Sequence, residues 1–275
     1  MIPLIYISAL LITGALVGSI SGMLGVGGCF IMVPVQFFAL TAMGIDPTIA
    51  IRVAFGTNLF VVFPTALSGS LRHHKKRVVL WKHAIILGLT SVAFTFAGAW
   101  IASSLPGSIL KTIFGSAILL GALRMATAHP IRVRGKPHAN TLTYILLGVV
   151  FGFVTGLIGI GGGVLMVPLM VIFLNYHMHE AVGTSTAVMI FTSLGGTVAY
   201  LFYGLHTPGL PPYSIGYVNL LQWILLAGTS IPMAQVGAHI SHKIRPKMLK
   251  WIFIMVMVYM GLKMIGIFSW LGLPI

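Results

Sequence analysis

The sequence predicts an all-α polytopic membrane protein made of two internal repeats, and three observations support this class. Of its 275 residues, 58% are hydrophobic and only 7% are charged, whereas soluble domains carry about 25% charged residues. Apolar runs of about 20 residues, long enough to cross a bilayer as a helix, recur along the whole chain. A glycine cluster between apolar runs also occurs twice. We expect inverted repeats with about five helical elements each and about 8–10 crossings in all.

The apolar runs are separated by turns that contain glycine, proline or charged residues. In chain order they cover residues 4–24, 28–41, 48–71, 83–103, 108–126, 141–160, 163–176, 180–204, 217–240 and 247–270. Two of them, 28–41 and 163–176, are too short for an upright crossing. Each follows a glycine cluster, so we expect the first helix of each repeat to be broken there. The chain then divides into a first repeat (1–128), a basic connector (129–140) and a second repeat (141–275).

The repeat rests on matched residues. Residues 22–28 read GMLGVGG and residues 156–163 read GLIGIGGG, and each cluster leads into a Val-Pro pair. Further along, Gly56-Thr57-Asn58 matches Gly183-Thr184-Ser185. Paired helix breaks in matching places are the best sequence indication of a transporter's binding site.

The charges predict the topology. The chain has 16 Lys and Arg residues but only two acids, Asp46 and Glu180. Cytoplasmic loops are rich in Lys and Arg, so we place the basic loops 72–83, 129–138 and 242–250 on the cytoplasmic side of the inner membrane. The loop 204–212 corresponds to the first of these and has no Lys or Arg. Equivalent loops then lie on opposite sides, which predicts inverted repeats with both termini outside; an even number of crossings per repeat is the alternative.

The glycine clusters are the predicted anion site. A helix that starts after a break presents unpaired N–H groups and about half a positive charge, and two such ends facing each other bind an anion without any lysine. For Gly18, Gly22, Gly152 and Gly156 we prefer simple helix packing. The predicted substrate-binding residues are Gly27, Gly28, Cys29, Thr57, Asn58, Gly161, Gly162, Gly163, Thr184, Ser185, Gln235 and His239. Interhelical hydrogen bonding is the alternative for the Ser and Thr residues, and a place at the membrane interface for His239.

Three charged residues complete the set of candidates. Arg52 is either a guide for anions or a side chain that reaches to the lipid headgroups. Glu180 and Asp46 either relay protons or, more simply, cap helices. We find no metal-type cluster, no nucleophile with a base and no phosphate-binding loop. The sequence therefore predicts neither an enzyme nor a cofactor, and its basic charge is not attributed to nucleic acid.

The doubled glycine motif, its Val-Pro elements (Val33-Pro34 and Val167-Pro168) and the later GTS and TSLGG segments of the second half resemble the sulfite exporter TauE/SafE family of membrane permeases. The resemblance covers both halves. The first half departs from the pattern, with Cys29 in place of a third glycine and Asn58 in place of serine. The resemblance implies export or exchange of small sulfur-containing anions, such as sulfite, sulfonates or sulfoacetate, across the cytoplasmic membrane.

Our hypothesis from the sequence is a secondary transporter that exposes a midplane anion site to each side in turn. Its expected partners are a small inorganic or organosulfonate anion and the lipid bilayer, and homo-oligomerisation is left open. The alternatives are a passive small-anion channel and a non-transporting membrane subunit whose glycines serve packing only.

Overall fold

The computed structural model describes residues 4–24, 28–127, 140–161, 163–240 and 246–270. Over these residues the chain forms eleven helices and one two-stranded hairpin. The elements are α1 (Leu4–Leu24), α2 (Cys29–Ala42), α3 (Pro47–Lys75), α4 (Trp81–Ser104), α5 (Gly107–Thr127), α6 (Thr141–Ile158), α7 (Gly163–Leu174), α8 (Met178–Gly204), β1 (Ser214–Ile215), β2 (Val218–Asn219), α9 (Leu220–Ile240), α10 (Pro246–Ile265) and α11 (Ile267–Trp270). The predicted all-α class is confirmed.

The helices have the length and surface of a membrane protein. Five of the described helices, α3, α4, α5, α6 and α8, are long and apolar enough to cross a bilayer. Large apolar side chains face outward: Leu89 is 61% exposed, Trp100 59% and Leu120 64%. Polar side chains such as Asn58 and Thr184 are fully buried. Apolar residues outside and polar residues inside are expected where lipid surrounds the protein.

Two predicted runs differ from the observed elements. The run 217–240 was expected to be helical throughout, but β1 and β2 form a hairpin before α9 begins at Leu220. Gly216, with φ of 55°, allows the tight turn between the strands. The run 247–270 is interrupted at Gly266, whose φ is 88°. Both errors arise because apolar composition does not reveal a turn that a single glycine makes.

Two helix pairs run parallel and close together, α1 with α9 and α4 with α6. Glycines make the close approach possible, since a Cβ at these positions would overlap the neighbouring helix. The contacts are Gly14 with Leu226, Gly18 with Ser230, Gly148 with Leu87, and Gly152 with Ser91. The packing role expected for Gly18 and Gly152 is therefore observed, and the two seams use residues that the predicted repeat matches.

The centre of the bundle is an antiparallel pair, α3 and α8. Leu59 of α3 contacts Gly196 near the end of α8, whereas Gly69, later in α3, contacts Thr186 near the beginning of α8. Helices α5 and α10 are also antiparallel, because Gly115 contacts Ile265 and Leu119 contacts Gly261. Inverted repeats require each helix to run opposite to its equivalent, and both pairs meet this requirement.

Candidate functional site

The second glycine break is formed by residues 159–161, between α6 and α7. Gly159 and Gly161 have φ angles of 63° and 72°, a conformation that favours glycine. A Cβ at Gly159 would also lie only 2.6 Å from the Cβ of Phe55 on α3. Gly163 is the first residue of α7 and is buried. Gly162 lies outside the described residues.

The first break ends at Gly28, which precedes α2. Its carbonyl accepts hydrogen bonds from the N–H groups of Ile31 (3.1 Å) and Met32 (3.3 Å). A Cβ at Gly28 would overlap the side chain of Val17 on α1, so glycine lets the break pack against that helix. Cys29 is the first residue of α2, and it is buried. Gly27 lies outside the described residues.

Asn58 on α3 contacts both breaks. Its Nδ2 donates a hydrogen bond of 2.6 Å to the carbonyl of Gly159, and its side chain lies beside the Cys29 thiol without forming a hydrogen bond to it. Asn58 is fully buried, and its Oδ1 has no hydrogen-bond partner. The structure thus brings together three of the predicted elements of the site: Cys29 at the start of α2, the α6–α7 break and Asn58 on α3.

Thr57 and Thr184 hold the starts of two other helices. The N–H of Asn219, just before α9, donates to Thr57 Oγ1 at 2.8 Å, and the N–H of Leu80, just before α4, donates to Thr184 Oγ1 at 3.1 Å. Each threonine satisfies one of the unpaired N–H groups that every helix start carries. Both threonines therefore make hydrogen bonds to another segment of the bundle, which is the alternative to substrate binding given above for the Ser and Thr residues. Ser185 Oγ donates within its own helix, to the Val182 carbonyl at 3.0 Å.

One candidate on α9, Gln235, lies apart from Asn58. Its side chain is exposed, and its Nε2 donates to Ser68 Oγ at 3.4 Å. No described contact joins Gln235 to Asn58. The other candidate on α9, His239, has its side chain outside the described residues.

The three charged candidates are bound to protein groups. Arg52 Nη1 donates to the Tyr217 hydroxyl at 3.1 Å, and Nη2 donates to the Leu105 carbonyl at 2.9 Å. Asp46 caps α3 by accepting from the N–H groups of the second and third helical residues. Glu180 accepts from the His177 N–H at 3.1 Å in a capping box at the start of α8. Capping is therefore the observed role of both acids.

An aromatic cluster that the sequence did not indicate lies near the starts of α4, α6 and α8. The Tyr176 hydroxyl is 2.7 Å from His83 Nδ1 and donates to the Tyr144 hydroxyl at 3.3 Å. The rings of His83 and Tyr144 stack with their centroids 4.5 Å apart. Burial, with Tyr144 and Glu180 adding to it, raises the pKa of Tyr176 above its ordinary value. A histidine or tyrosine at a helix end gives no sequence signal for such a contact.

Gln36 is a second residue that was not among the predicted site residues. Its side chain is fully buried on α2, and neither amide atom is hydrogen-bonded. The only signal was a lone amide in an otherwise apolar short helix. Among the residues that the structure describes, no group of three or more His, Cys, Asp or Glu residues could hold a metal.

Comparisons with known proteins give a family and several relatives. The family model described as Sulfite exporter TauE/SafE matches residues 10–264. A probable membrane transporter protein of Methanocaldococcus jannaschii is 34% identical, with 95% of this chain and 96% of that protein aligned. Probable membrane transporter proteins of Bacillus subtilis (29% identical) and Haemophilus influenzae (24% identical) each align with 94% of this chain and 98% of their own length. No solved structure gives a significant match.

Proposed function

The chain belongs to the sulfite exporter TauE/SafE family of membrane transporters, and on this premise we propose that it is a secondary transporter of small sulfur-containing anions. Sulfite, sulfonates and sulfoacetate are the substrates that the family resemblance favours. We propose export or exchange across the inner membrane, with the anion bound between the two glycine breaks. The anion and the lipid bilayer are the partners of this function.

The single observation that supports this site best is the pair of contacts made by Asn58. One buried side chain reaches the first residue of α2 and the carbonyl of Gly159 in the second break. The N-terminus of α2 and the α6–α7 break are therefore neighbours in the interior. The start of a helix carries about half a positive charge. In a low-dielectric interior that charge attracts a small anion more strongly than it would in water.

The helix directions support alternating access. Helices α3 and α8 hold matched positions in the two halves, and they run antiparallel. We propose that residues 1–128 and 141–275 are inverted repeats, joined by the basic connector 129–140, and that they rock about the site between the breaks. The basic loops then face the cytoplasm and both termini face outside, as the charges of the sequence predict.

Flux into reconstituted vesicles tests this function. Proteoliposomes are loaded and assayed with labelled sulfite, sulfoacetate and taurine, and empty liposomes serve as the control. A secondary transporter gives uptake that saturates with concentration and is accelerated by unlabelled substrate on the far side. Uptake that rises linearly without saturation supports the passive channel instead. Uptake equal to that of empty liposomes, for every anion, would overturn the proposal in favour of a non-transporting subunit.

A further inference from the structure

Arg52 lies in an unusual electrostatic setting. It is in the second turn of α3, at the end of the bundle that also carries the hairpin of β1 and β2; we call this the hairpin end. The residue is only partly exposed. Its two Nη atoms donate to neutral oxygens, the Tyr217 hydroxyl and the Leu105 carbonyl. Its Nε is buried without a hydrogen-bond partner.

Arg52 has no carboxylate to balance it. The chain contains only two acids: Asp46 caps α3, and Glu180 caps the start of α8 at the opposite end of the bundle. In the part of the chain that the structure describes, Arg52 forms no ion pair. A guanidinium is always charged, and removing it from water is costly unless an opposite charge compensates. This cation is therefore ready to accept an anion.

The guanidinium also joins three segments across the hairpin end. It connects α3 to Leu105 in the turn between α4 and α5, and to Tyr217 in the hairpin. Thr207 Oγ1 donates to the same Tyr217 hydroxyl at 2.9 Å, and the Tyr217 backbone N–H donates to the Tyr200 carbonyl at 3.1 Å. Tyr217 itself is only 2% exposed. Arg52, Tyr217 and Leu105 together connect the hairpin to α3 and to the turn between α4 and α5, and we call them the latch.

The latch exists at one end only. The alignment that matches Thr57 with Thr184 places His179 at the position of Arg52 in the second half. His179 is exposed, and the segment equivalent to Tyr217 carries Val78. A charged residue that can respond to an anion is therefore present at the hairpin end but not at the matched positions of the other end.

We propose that Arg52 is an anion-binding residue and that a small oxyanion opens the hairpin end by replacing the Leu105 carbonyl and the Tyr217 hydroxyl on its guanidinium. This inference rests on the proposed function and adds how the anion enters or leaves. The ligand class is an oxyanion with two neighbouring oxygens, such as a carboxylate, a sulfonate or sulfite. Arginine binds such groups through two parallel hydrogen bonds in which both partners are charged, so the attraction between opposite charges is added to the hydrogen bonding that the neutral oxygens provide. The exchange releases the hairpin and compensates the charge in one step.

A cysteine at position 218 reports the opening. Val218 is 1% exposed in β2, and Val218→Cys changes its volume little. The reporter protein is reconstituted and treated with a membrane-impermeant maleimide, with methanesulfonate, sulfoacetate or acetate as probe and chloride of equal ionic strength as the reference. We expect methanesulfonate or sulfoacetate to raise the labelling rate several-fold. Tyr213→Cys, at a side chain that is already 66% exposed, should be labelled equally in every solution.

Variants of Arg52 decide whether the latch is responsible. In Val218→Cys protein, Arg52→Gln should abolish the anion dependence, because no charge remains to exchange partners. Tyr217→Phe removes one acceptor, so basal labelling should rise while a response to anions persists. Lys111→Gln removes another cation from the same end, one whose Nζ lies 5.2 Å from the centre of the Phe37 ring, and should leave the anion response unchanged.

Two labelling results would overturn the inference: an anion response in Arg52→Gln protein equal to that of its parent, or no response to any of the probes in the parent. Flux measured on the same vesicles separates this from the proposed function. Saturable uptake that Arg52→Gln leaves unchanged contradicts the latch and leaves the transporter intact. Absence of uptake in the parent contradicts the transporter, whatever the labelling shows.

Discussion

Among single residues, Asn58 differs in its contacts from its counterpart in the other half. Asn58 reaches from α3 to Cys29 and to the Gly159 carbonyl, whereas Ser185, the matched residue of the second half, bonds only to its own helix. The first half therefore has larger side chains at both Cys29 and Asn58, and these contact each other. The second half has Gly163 and Ser185 at those places.

Replacing Asn58 tests its role at the breaks. Asn58→Ser copies the second half and removes the donor to Gly159, so a buried carbonyl loses its partner at a cost of about 1–3 kcal/mol. We expect a lower unfolding temperature in detergent and a weaker stabilisation by sulfite or sulfoacetate in the same thermal scan.

Ser185→Ala is the matched control for this experiment. It removes a bond within one helix, to the Val182 carbonyl, and should lower the unfolding temperature by less. If Asn58→Ser and Ser185→Ala were equivalent in both stability and anion response, Asn58 would have no special role between the breaks.

Among the helices, the two glycine seams show how the halves interlock. Helix α1 packs on α9, and α6 packs on α4, so each pair combines one helix from each half. Hydrogen bonds at two helix starts also cross between the halves, since Thr57 accepts from the residue before α9 and Thr184 accepts from the residue before α4. Small residues at helix contacts are the usual means of close packing in membranes, where apolar burial gives little drive for association.

The seam predicts the effect of Gly152→Ala. A Cβ there would overlap the backbone of Ser91, so the helices must separate, at a cost of about 1–3 kcal/mol. We expect a lower unfolding temperature in detergent, and a similar loss for Gly18→Ala in the matched seam against Ser230.

Gly228→Ala on α9 is the control for the seam. No atom lies within 4 Å of the added Cβ, and alanine favours a helix over glycine by about 1 kcal/mol. Its stability should stay the same or rise. A harmless Gly152→Ala would show that the seam does not depend on glycine.

For the molecule as a whole, composition and run length predicted the all-α class and ten apolar runs, whereas the described residues form eleven helices and a hairpin, since the last run divides at Gly266. The glycine clusters marked the places where the helices are interrupted, between α1 and α2 and between α6 and α7, and at the second of these Gly159 and Gly161 adopt left-handed conformations. The sequence did not indicate the hydrogen-bond partners of the polar residues. The partners lie far apart in the chain: more than 160 residues separate Thr57 from Asn219, and Arg52 from Tyr217. A single amino-acid sequence contains no signal for such pairings. The hairpin before α9 was missed for a local reason, its single turn glycine.

The orientation of the two halves across the membrane is a property of the whole molecule, and it can be tested by labelling. The antiparallel pair α3 and α8 places the end of α3, with Lys75 and Lys76, opposite the end of α8, with the loop that contains Pro208. If the halves are inverted repeats with cytoplasmic basic loops, an impermeant maleimide should label Pro208→Cys in intact cells. Lys76→Cys, exposed at the basic end, should be labelled only after the membrane is opened. The parent protein is the control, because its single cysteine, Cys29, is buried and should not react. Labelling of both positions from the same side would contradict the inverted arrangement, since one antiparallel helix pair cannot present these two ends to one face of the membrane.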